Sequence, residues 1–395
     1  MSIIVKKFGG SSVANTERLF VIARIIKETY EKKHKIVVVI SAQGKTTDQL
    51  IEKAYKVNSN PSPREMDVLL SSGEQISMAL LSMALQKLEV PSVSLTGWQA
   101  GIETCSYHSN AKITNINPIR IKENLDKNSV VIVAGFQGIN AQGDITTTGR
   151  GGSDTTAVAL AAVLSADECR IYTDVNGVFV ADPNIIPKTE KIDTISYNCM
   201  TKFASKGAKV LNKRSVQLAE KYSVPISVLS SFENLHSTTV CEKESKNCGE
   251  IKGIAVNKNL ILVHISGLFQ MCIEKIFDLI SNENTVRVCL QKEDSLVIII
   301  NGDDKNSSQM IAKKIKSTCE DHKISFFLDE NIAEVSVINS NEKNQIVTTN
   351  VILKCLKNIK IKSINTEDNL ISMLIDKSEI EVVVNKIYSE FFNKS

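Results

Sequence analysis

The stretch TTTGRGGSDTTAVALA occupies residues 146–161. Within it, Gly149, Gly151 and Gly152 surround a single arginine, Arg150, and a single aspartate, Asp154, follows at once. Glycines leave backbone open to close approach by a ligand. A guanidinium offers a planar fork for a carboxylate or phosphate, and the aspartate offers the opposite charge. The residues after it are small and helix-tolerant, which puts Asp154 in the first turn of a helix.

Other stretches share this character. IIVKKFGGSS (3–12) is a strand ending in Gly9-Gly10, with a helical pattern behind it. Such a turn can aim backbone N–H groups at an anion, and the helix start adds a favourable dipole. Lys6 and Lys7 precede it, and one of them must face the turn. This is a phosphate cradle in principle or a plain tight turn, and it is not a Walker A loop, whose pattern the chain lacks. In VISAQGKTTDQL (39–50), Ser41 ends a strand and Thr47 stands where a helix begins, as ligand hydroxyls or as simple caps. LLSSGEQISMALLSMAL (69–85) places Gly73-Glu74 at the expected start of an apolar helix. There Glu74 either stabilises the first turn or aims a carboxylate at a cation. IYTDVNGVFVADP (171–183) ends a strand with Thr173-Asp174 and runs through Phe179 to Asp182-Pro183. ASKGAKVLNKR (204–214) carries Lys209 in a helical pattern.

The elements that would position these residues alternate. Continuous apolar runs at 3–8, 35–41, 92–97, 129–136, 169–175 and 225–231 read as buried strands. Helical patterns fall at 13–33, 47–58, 64–88, 153–166 and 200–222. That order predicts a mainly parallel sheet between helix layers. Ligands bind such sheets at the carboxyl ends of the strands, so the glycine-bearing turns should converge there.

Composition changes near residue 232. All seven prolines and fourteen of the 18 glycines precede it. Polar residues 233–250 read as a linker. Beyond it, β-α-β-β-α is written twice at a spacing of about 70 residues, the rhythm of small ferredoxin-like modules. The expected domains are 1–232, 251–330 and 331–395, with a strand at 249–257 completing the last.

With 395 residues, 43% hydrophobic and 23% charged, the composition is that of a globular protein of two or three domains. A net charge of +3, no basic block and 5% aromatics point away from nucleic acid. No apolar run reaches the roughly 20 residues of a membrane span, and no signal peptide is read before IIVKKFGG, so a cytoplasmic protein is expected. The nine cysteines form no C-x-x-C pair and lack clustered histidines, which argues against disulfides and zinc.

Taken together, KKFGGSS, SAQGKTTDQL, SSGEQISMALLSMALQ, SLTGWQAGI, GFQG, TTTGRGGSDTTAVALAA and IYTDVNGVFVADP closely resemble the aspartate kinases of the amino-acid kinase family, over about residues 3–232. The C-terminal third resembles that family's paired ACT modules in rhythm. The resemblance implies transfer of the ATP γ-phosphoryl group to the β-carboxylate of L-aspartate, the first step toward lysine, threonine and methionine.

By resemblance, Lys7 and the turn Phe8-Gly9-Gly10 hold the transferring phosphoryl group. Ser41, Thr47, Gly151 and Gly152 line the aspartate. Glu74 and Asp154 address its ammonium and Arg150 its α-carboxylate. Thr173, Asp174, Phe179, Asp182 and Pro183 surround ATP, and Lys209 lies near its phosphates. Lys7, Asp154 and Lys209 form the implied catalytic set. Mg²⁺ rides mainly on the phosphates, with no dedicated protein metal site. The nucleophile is a carboxylate already ionised at neutral pH, so no strong base is needed. A homodimer through the ACT modules is also implied.

Two departures stand out. The family's usual GAKVLHPR is GAKVLNKR here, with Asn212 and Lys213 replacing His and Pro, which bears on nucleotide affinity. The loops SGLFQMCIEK (266–275) and INSNEKNQIV (338–347) lack the Pro-Gly that usually accompanies lysine or threonine binding, and the strand end is SINTEDN (363–369). Feedback inhibition by lysine or threonine is therefore expected to be weakened or lost. A sister kinase for another small carboxylate, or a non-catalytic amino-acid sensor, is the competing reading. The Arg150–Asp154 pair with Glu74 argues against the first, and the intact Lys7, Arg150, Asp154 and Asp174 set against the second.

Overall fold

The computed structural model describes residues 2–208, 210–232, 237–242, 251–267, 270–280, 286–292, 295–301, 305–322, 324–339 and 345–392. The chain forms two compact units. One comprises Met1–Phe179, Lys191–Ala204 and Lys209–Asn247; the other comprises Val180–Glu190, Ser205–Ala208 and Cys248–Ser395.

In the first unit the strands are β1 (Ile3–Phe8), β2 (Lys35–Ile40), β3 (Ser92–Leu95), β4 (Ile102–Thr104), β5 (Ile113–Ile116), β6 (Val130–Ala134), β7 (Gln137–Ile139), β8 (Ile145–Thr147), β9 (Glu168–Thr173), β10 (Val178–Phe179), β11 (Lys191–Ile192), β12 (Thr194–Ser196), β13 (Ile226–Ser230) and β14 (Thr238–Cys241). Its helices are α1 (Thr16–Glu31), α2 (Thr46–Val57), α3 (Pro63–Lys87), α4 (Ile119–Asp126), α5 (Gly152–Val163), α6 (Tyr197–Ser205) and α7 (Lys213–Lys221), the last residue of α6 grouping with the second unit.

Eight strands make one sheet in the order β12-β14-β13-β9-β1-β2-β6-β3. From β13 to β3 every pairing is parallel. The carboxyl ends of β1, β2, β9 and β6 therefore lie along one edge. One face packs α1 and α3 through Ile22, Ile26, Leu81 and Leu85. The expected mainly parallel α/β fold is what forms.

A four-stranded sheet, β5-β4-β7-β8, was not foreseen. Its strands are three or four residues long, too short to show an alternating pattern. The single helix expected over 200–222 is two, α6 and α7. Gly207 breaks it with φ of 101°, in the left-handed region that glycine tolerates. Helix α3 is long and apolar enough for a membrane span by length and composition, contrary to the sequence expectation. It buries Leu81 and Leu85 in the core, together with the carboxylates of Asp67 and Glu74.

The second unit adds β15 (Ile251–Asn257), β16 (Leu260–Ser266), β17 (Val286–Lys292), β18 (Ser295–Asn301), β19 (Ser325–Asp329), β20 (Ile332–Asn339), β21 (Ser363–Glu367) and β22 (Leu370–Asp376), with α8 (Gln270–Ile280), α9 (Lys305–Asp321), α10 (Gln345–Cys355) and α11 (Ile380–Phe392). They form two antiparallel sheets, β17-β18-β16-β19 and β15-β20-β22-β21. Alternation along β16 decides the packing. Ile261, Val263 and Ile265 join the core under α8 and α9, while Leu260 and Leu262 meet Ile332 and Leu374 of the other sheet. These small antiparallel sheets fit paired ACT modules.

Candidate active site

Strand β1 sends its two lysines to opposite faces, as a pleated strand must. Lys6 is 1% exposed, and its Nζ donates to Thr29 Oγ1 at 2.6 Å and to the Ile25 carbonyl at 3.1 Å. Burial, reinforced by the Arg170 charge, lowers its pKa to about 7. Lys6 thus belongs to the α1 side. Lys7 is the lysine that faces α5, where its Nζ lies 2.6 Å from Asp154 Oδ1. Both side chains are mostly buried. No donor is aligned on Asp154 Oδ1 as a hydrogen bond, so the Lys7 contact is electrostatic.

After Phe8 the chain turns through Gly9 into a short 3₁₀ segment, Gly10–Val13. Lys7 Nζ would sit 3.6 Å from a β-carbon on Gly9, so the ammonium rests beside bare backbone. A β-carbon on Gly10 would meet the Ala42 carbonyl at 2.8 Å. The missing side chain lets this turn lie against the one after β2, joined to it by Gly44 N–H donating to the Gly10 carbonyl at 3.0 Å. Ser41 belongs to that second turn, its N–H donating to the Phe8 carbonyl at 3.1 Å. Thr47 lies in the first turn of α2, whose N-cap is Lys45 without a side-chain cap.

Glu74 is not at a helix start. Helix α3 begins at Pro63, and Glu74 lies three turns along it. Gly73 beside it marks close packing instead of a helix end: a β-carbon there would stand 2.8 Å from Ala42 Cβ. Glu74 is therefore pressed against the β2 turn, where its Oε1 accepts the Ala42 N–H at 3.0 Å. Oε2 is buried with no partner. Burial raises the carboxyl pKa to about 7, opposed by the Ala42 N–H.

The 146–154 stretch leaves β8 and enters α5 through Gly151, whose φ is 68°. Arg150 is exposed at the crest of this turn, and Gly152 is buried below it. Three partners hold the turn, of which sequence reasoning had singled out only Asn212, and that on the nucleotide side. Asp67, fully buried in α3, accepts Thr147 Oγ1 at 2.5 Å and the Ser109 N–H, and it meets His108 Nδ1 at 2.8 Å. Asn212 Nδ2 donates to the Arg150 carbonyl at 3.1 Å. Arg214 donates to Asn110 Oδ1 at 2.5 Å.

Thr173 ends β9, and its hydroxyl donates to Asp174 Oδ1 at 2.9 Å. The Thr173 carbonyl accepts Ser231 N–H, while Ser231 Oγ meets Ser12 Oγ at 2.8 Å and Arg18 donates to the Ser231 carbonyl at 2.6 Å. This ties the ends of β9 and β13 to the Gly9-Gly10 turn through Ser12 of the KKFGGSS motif and through Arg18 and Ser231, which the motifs do not include. Phe179 ends β10 in the first unit, whereas Asp182 and Pro183 fall in segment 180–190 of the second. Lys209 lies outside the described residues. A mostly apolar groove of about 670 Å³ between α2 and the start of α3 contains none of the sequence-predicted site residues.

A mainly parallel sheet whose strand ends gather a lysine–aspartate pair, glycine turns and a buried carboxylate with one unpaired oxygen fits an α/β enzyme of the small-molecule kinase class. The sequence profile of the amino acid kinase family matches residues 2–230. An aspartokinase of Geobacillus stearothermophilus is 40% identical over 402 residues, covering 99% of this chain and 97% of its own length. Aspartokinase 2 of Bacillus subtilis (strain 168) is 39% identical over 401 residues, with 99% and 98% covered. Among solved structures, E. coli aspartokinase III in complex with aspartate and ADP (R-state) shares the fold at TM-score 0.80 and 23% identity, covering 99% of this chain and 100% of that one. The chain belongs to the amino acid kinase family and, within it, to the aspartokinases.

Proposed function

We propose that this protein transfers the γ-phosphoryl group of ATP to the β-carboxylate of L-aspartate, giving 4-phospho-L-aspartate. The observation that carries the reading is the mostly buried Lys7–Asp154 pair beside the bare Gly9 backbone. A cation held beside bare glycine backbone suits a transferring phosphoryl group, whose charge spreads over its equatorial oxygens. Lys7 exchanges part of its contact with Asp154 for those oxygens. Gly9 and Gly10 bring backbone close to them.

Glu74 Oε2 and the second oxygen of Asp154 take the substrate ammonium. Arg150 takes the α-carboxylate, and the hydroxyls of Ser41 and Thr47 orient the acceptor with Gly151 and Gly152 at its side. Positioning then does most of the work, because the attacking carboxylate is already ionised. Phe8, Thr173, Asp174 and Phe179 form the nucleotide side of the first unit, and a nucleotide role for Asp182, Pro183 and Lys209 rests on the resemblance alone.

ATP enters as its magnesium complex. Among the described residues no group of three His, Cys, Asp or Glu side chains forms a metal cage. The hard oxygens of Asp174, at the end of β9, fit a metal carried mainly by phosphates. Bound there, Mg²⁺ supplies charge neutralisation on the phosphates.

Residues 1–232 are read as the catalytic domain, and 251–330 and 331–395 as ACT-like modules that dimerise the chain. Cys105, Cys169, Cys199, Cys241, Cys319 and Cys355 are free thiols, in keeping with the reducing cytoplasm expected from the sequence. Hydroxylamine tests the activity: with ATP, Mg²⁺ and L-aspartate the enzyme should yield aspartyl hydroxamate. Equal or faster trapping with succinate in place of aspartate would contradict the substrate assignment.

A further inference from the structure

We propose that Asn212 is a positioning residue that sets aspartate affinity by holding the Arg150 turn from α7. This rests on the reading of Arg150 as the α-carboxylate clamp.

Helix α5 supports the turn at the Gly151 carbonyl, which accepts the Thr155 N–H at 3.1 Å and the Thr155 hydroxyl at 3.3 Å. Gly151 is the N-cap of α5 and provides no side-chain cap. Asn212 adds a hold from α7 at the neighbouring carbonyl, that of Arg150. Its Nδ2 donates to the Arg150 carbonyl at 3.1 Å, across 62 residues of sequence. Its side chain also lies directly on Gly151, since a β-carbon there would meet Asn212 Cβ and Cγ at 2.5 Å. Gly151 at φ 68° is thus both the bend of the turn and the seat of the Asn212 amide.

Asn212 uses a different atom for a second task. It is the N-cap of α7, with Oδ1 accepting the Arg214 N–H at 2.9 Å. Two residues on, Arg214 reaches Asn110 Oδ1 at 2.5 Å and the Thr148 carbonyl at 3.5 Å. Helix α7 therefore grips the turn at two carbonyls, those of residues 148 and 150. Of the departures at positions 212 and 213, the one at 212 touches the amino-acid side of the proposed site.

Because Oδ1 caps and Nδ2 donates, substitution separates the two roles. Serine is also a good N-cap but lacks the amide donor and its reach. Steady-state constants and thermal midpoints would be measured for the full chain, Asn212→Ser, Asn212→Ala, Arg150→Ala and the Asn212→Ser/Arg150→Ala double variant.

Asn212→Ser should raise KM for aspartate about three- to tenfold, the value of one net hydrogen bond. Its kcat, KM for ATP and thermal midpoint should stay near those of the parent. Asn212→Ala should raise KM similarly and also lower the midpoint. In the Arg150→Ala background the serine change should add nothing, because coupled residues are not additive.

An unchanged KM for aspartate in Asn212→Ser, with Arg150→Ala raising it, overturns the inference and leaves the Arg150 assignment standing. An equal rise in KM for ATP, or full additivity in the double variant, also overturns the inference alone. An Arg150→Ala enzyme with parental KM for aspartate overturns both.

Discussion

Lys7 Nζ lies 2.6 Å from Asp154 Oδ1, and both side chains are mostly buried. The pair joins the end of β1 to the first turn of α5. In the proposed reaction it holds the lysine next to bare Gly9 backbone until a phosphoryl group competes for it. Lys7→Ala should therefore lower kcat by about a hundredfold or more, as for other groups that stabilise transition-state charge, while KM for aspartate changes far less. Stopped-flow or steady-state rates decide it. A kcat within tenfold of the parent would show that Lys7 only balances Asp154.

Glu74 gives a pH dependence whose sign can be worked out. Its folded pKa, about 7, lies above the usual carboxyl value. Between roughly 4.5 and 7 the folded state binds more protons than the unfolded state, so this group lowers stability as pH rises through that window. Glu74→Gln should remove that trend and leave the protein more stable than the parent above pH 7, read from unfolding midpoints at pH 5 and 8. Binding runs the other way, because only the ionised carboxylate attracts an ammonium. KM for aspartate should fall as pH rises through about 7, and in Glu74→Gln it should be higher and flat over that range. A parental pH profile in the variant would remove Glu74 from the aspartate site.

Asp67 anchors the segment that leads into the Arg150 turn. Its replacement by alanine strands the Ser109 N–H and the Thr147 hydroxyl. Such buried orphans cost about 1–3 kcal/mol each. Asp67→Ala should unfold several degrees below the parent in differential scanning calorimetry, with Asp67→Asn intermediate. An unaltered midpoint would mean water replaces the carboxylate without loss.

The C-terminal modules should respond weakly to amino-acid effectors. Loops 266–275 and 338–347 lack the Pro-Gly expected of lysine or threonine sites. Residues 268–269 and 340–344 within them lie outside the described residues, so the expectation rests on sequence. Lysine and threonine, alone and together at sub-millimolar concentration, should leave the initial rate essentially unchanged. Strong inhibition by either would show that these loops still bind an effector.

What could be read from the sequence divides along physical lines. The parallel sheet was legible because its strands are continuous apolar runs such as KIVVVI, and the strand-end turns because glycine pairs are rare enough to notice. Glu74 was visible as a chemical group but misplaced. Gly73 resembles a helix start, and only the fold shows that its bareness serves contact with Ala42. Asp67, Arg214, Arg18 and Ser231 carried no local signal, and Asn212 only that of a departure from GAKVLHPR. Each acts on a group 40 or more residues away in sequence, through one or two hydrogen bonds. Lys6 and Lys7 look equivalent in KKF. The pleat of β1 gives one to the core and the other to Asp154.

The central claim is that the β-carboxylate of aspartate is the group phosphorylated. It is tested most directly by reducing the product in place. Borohydride added to enzyme, Mg²⁺, ATP and L-aspartate converts an acyl phosphate to the corresponding alcohol, and the alcohol reports which carboxylate carried the phosphate. The account predicts ATP-dependent homoserine, absent without enzyme and strongly reduced with Lys7→Ala. Formation of 3-amino-4-hydroxybutanoate, which marks the α-carboxylate, or no amino alcohol at all, would contradict it.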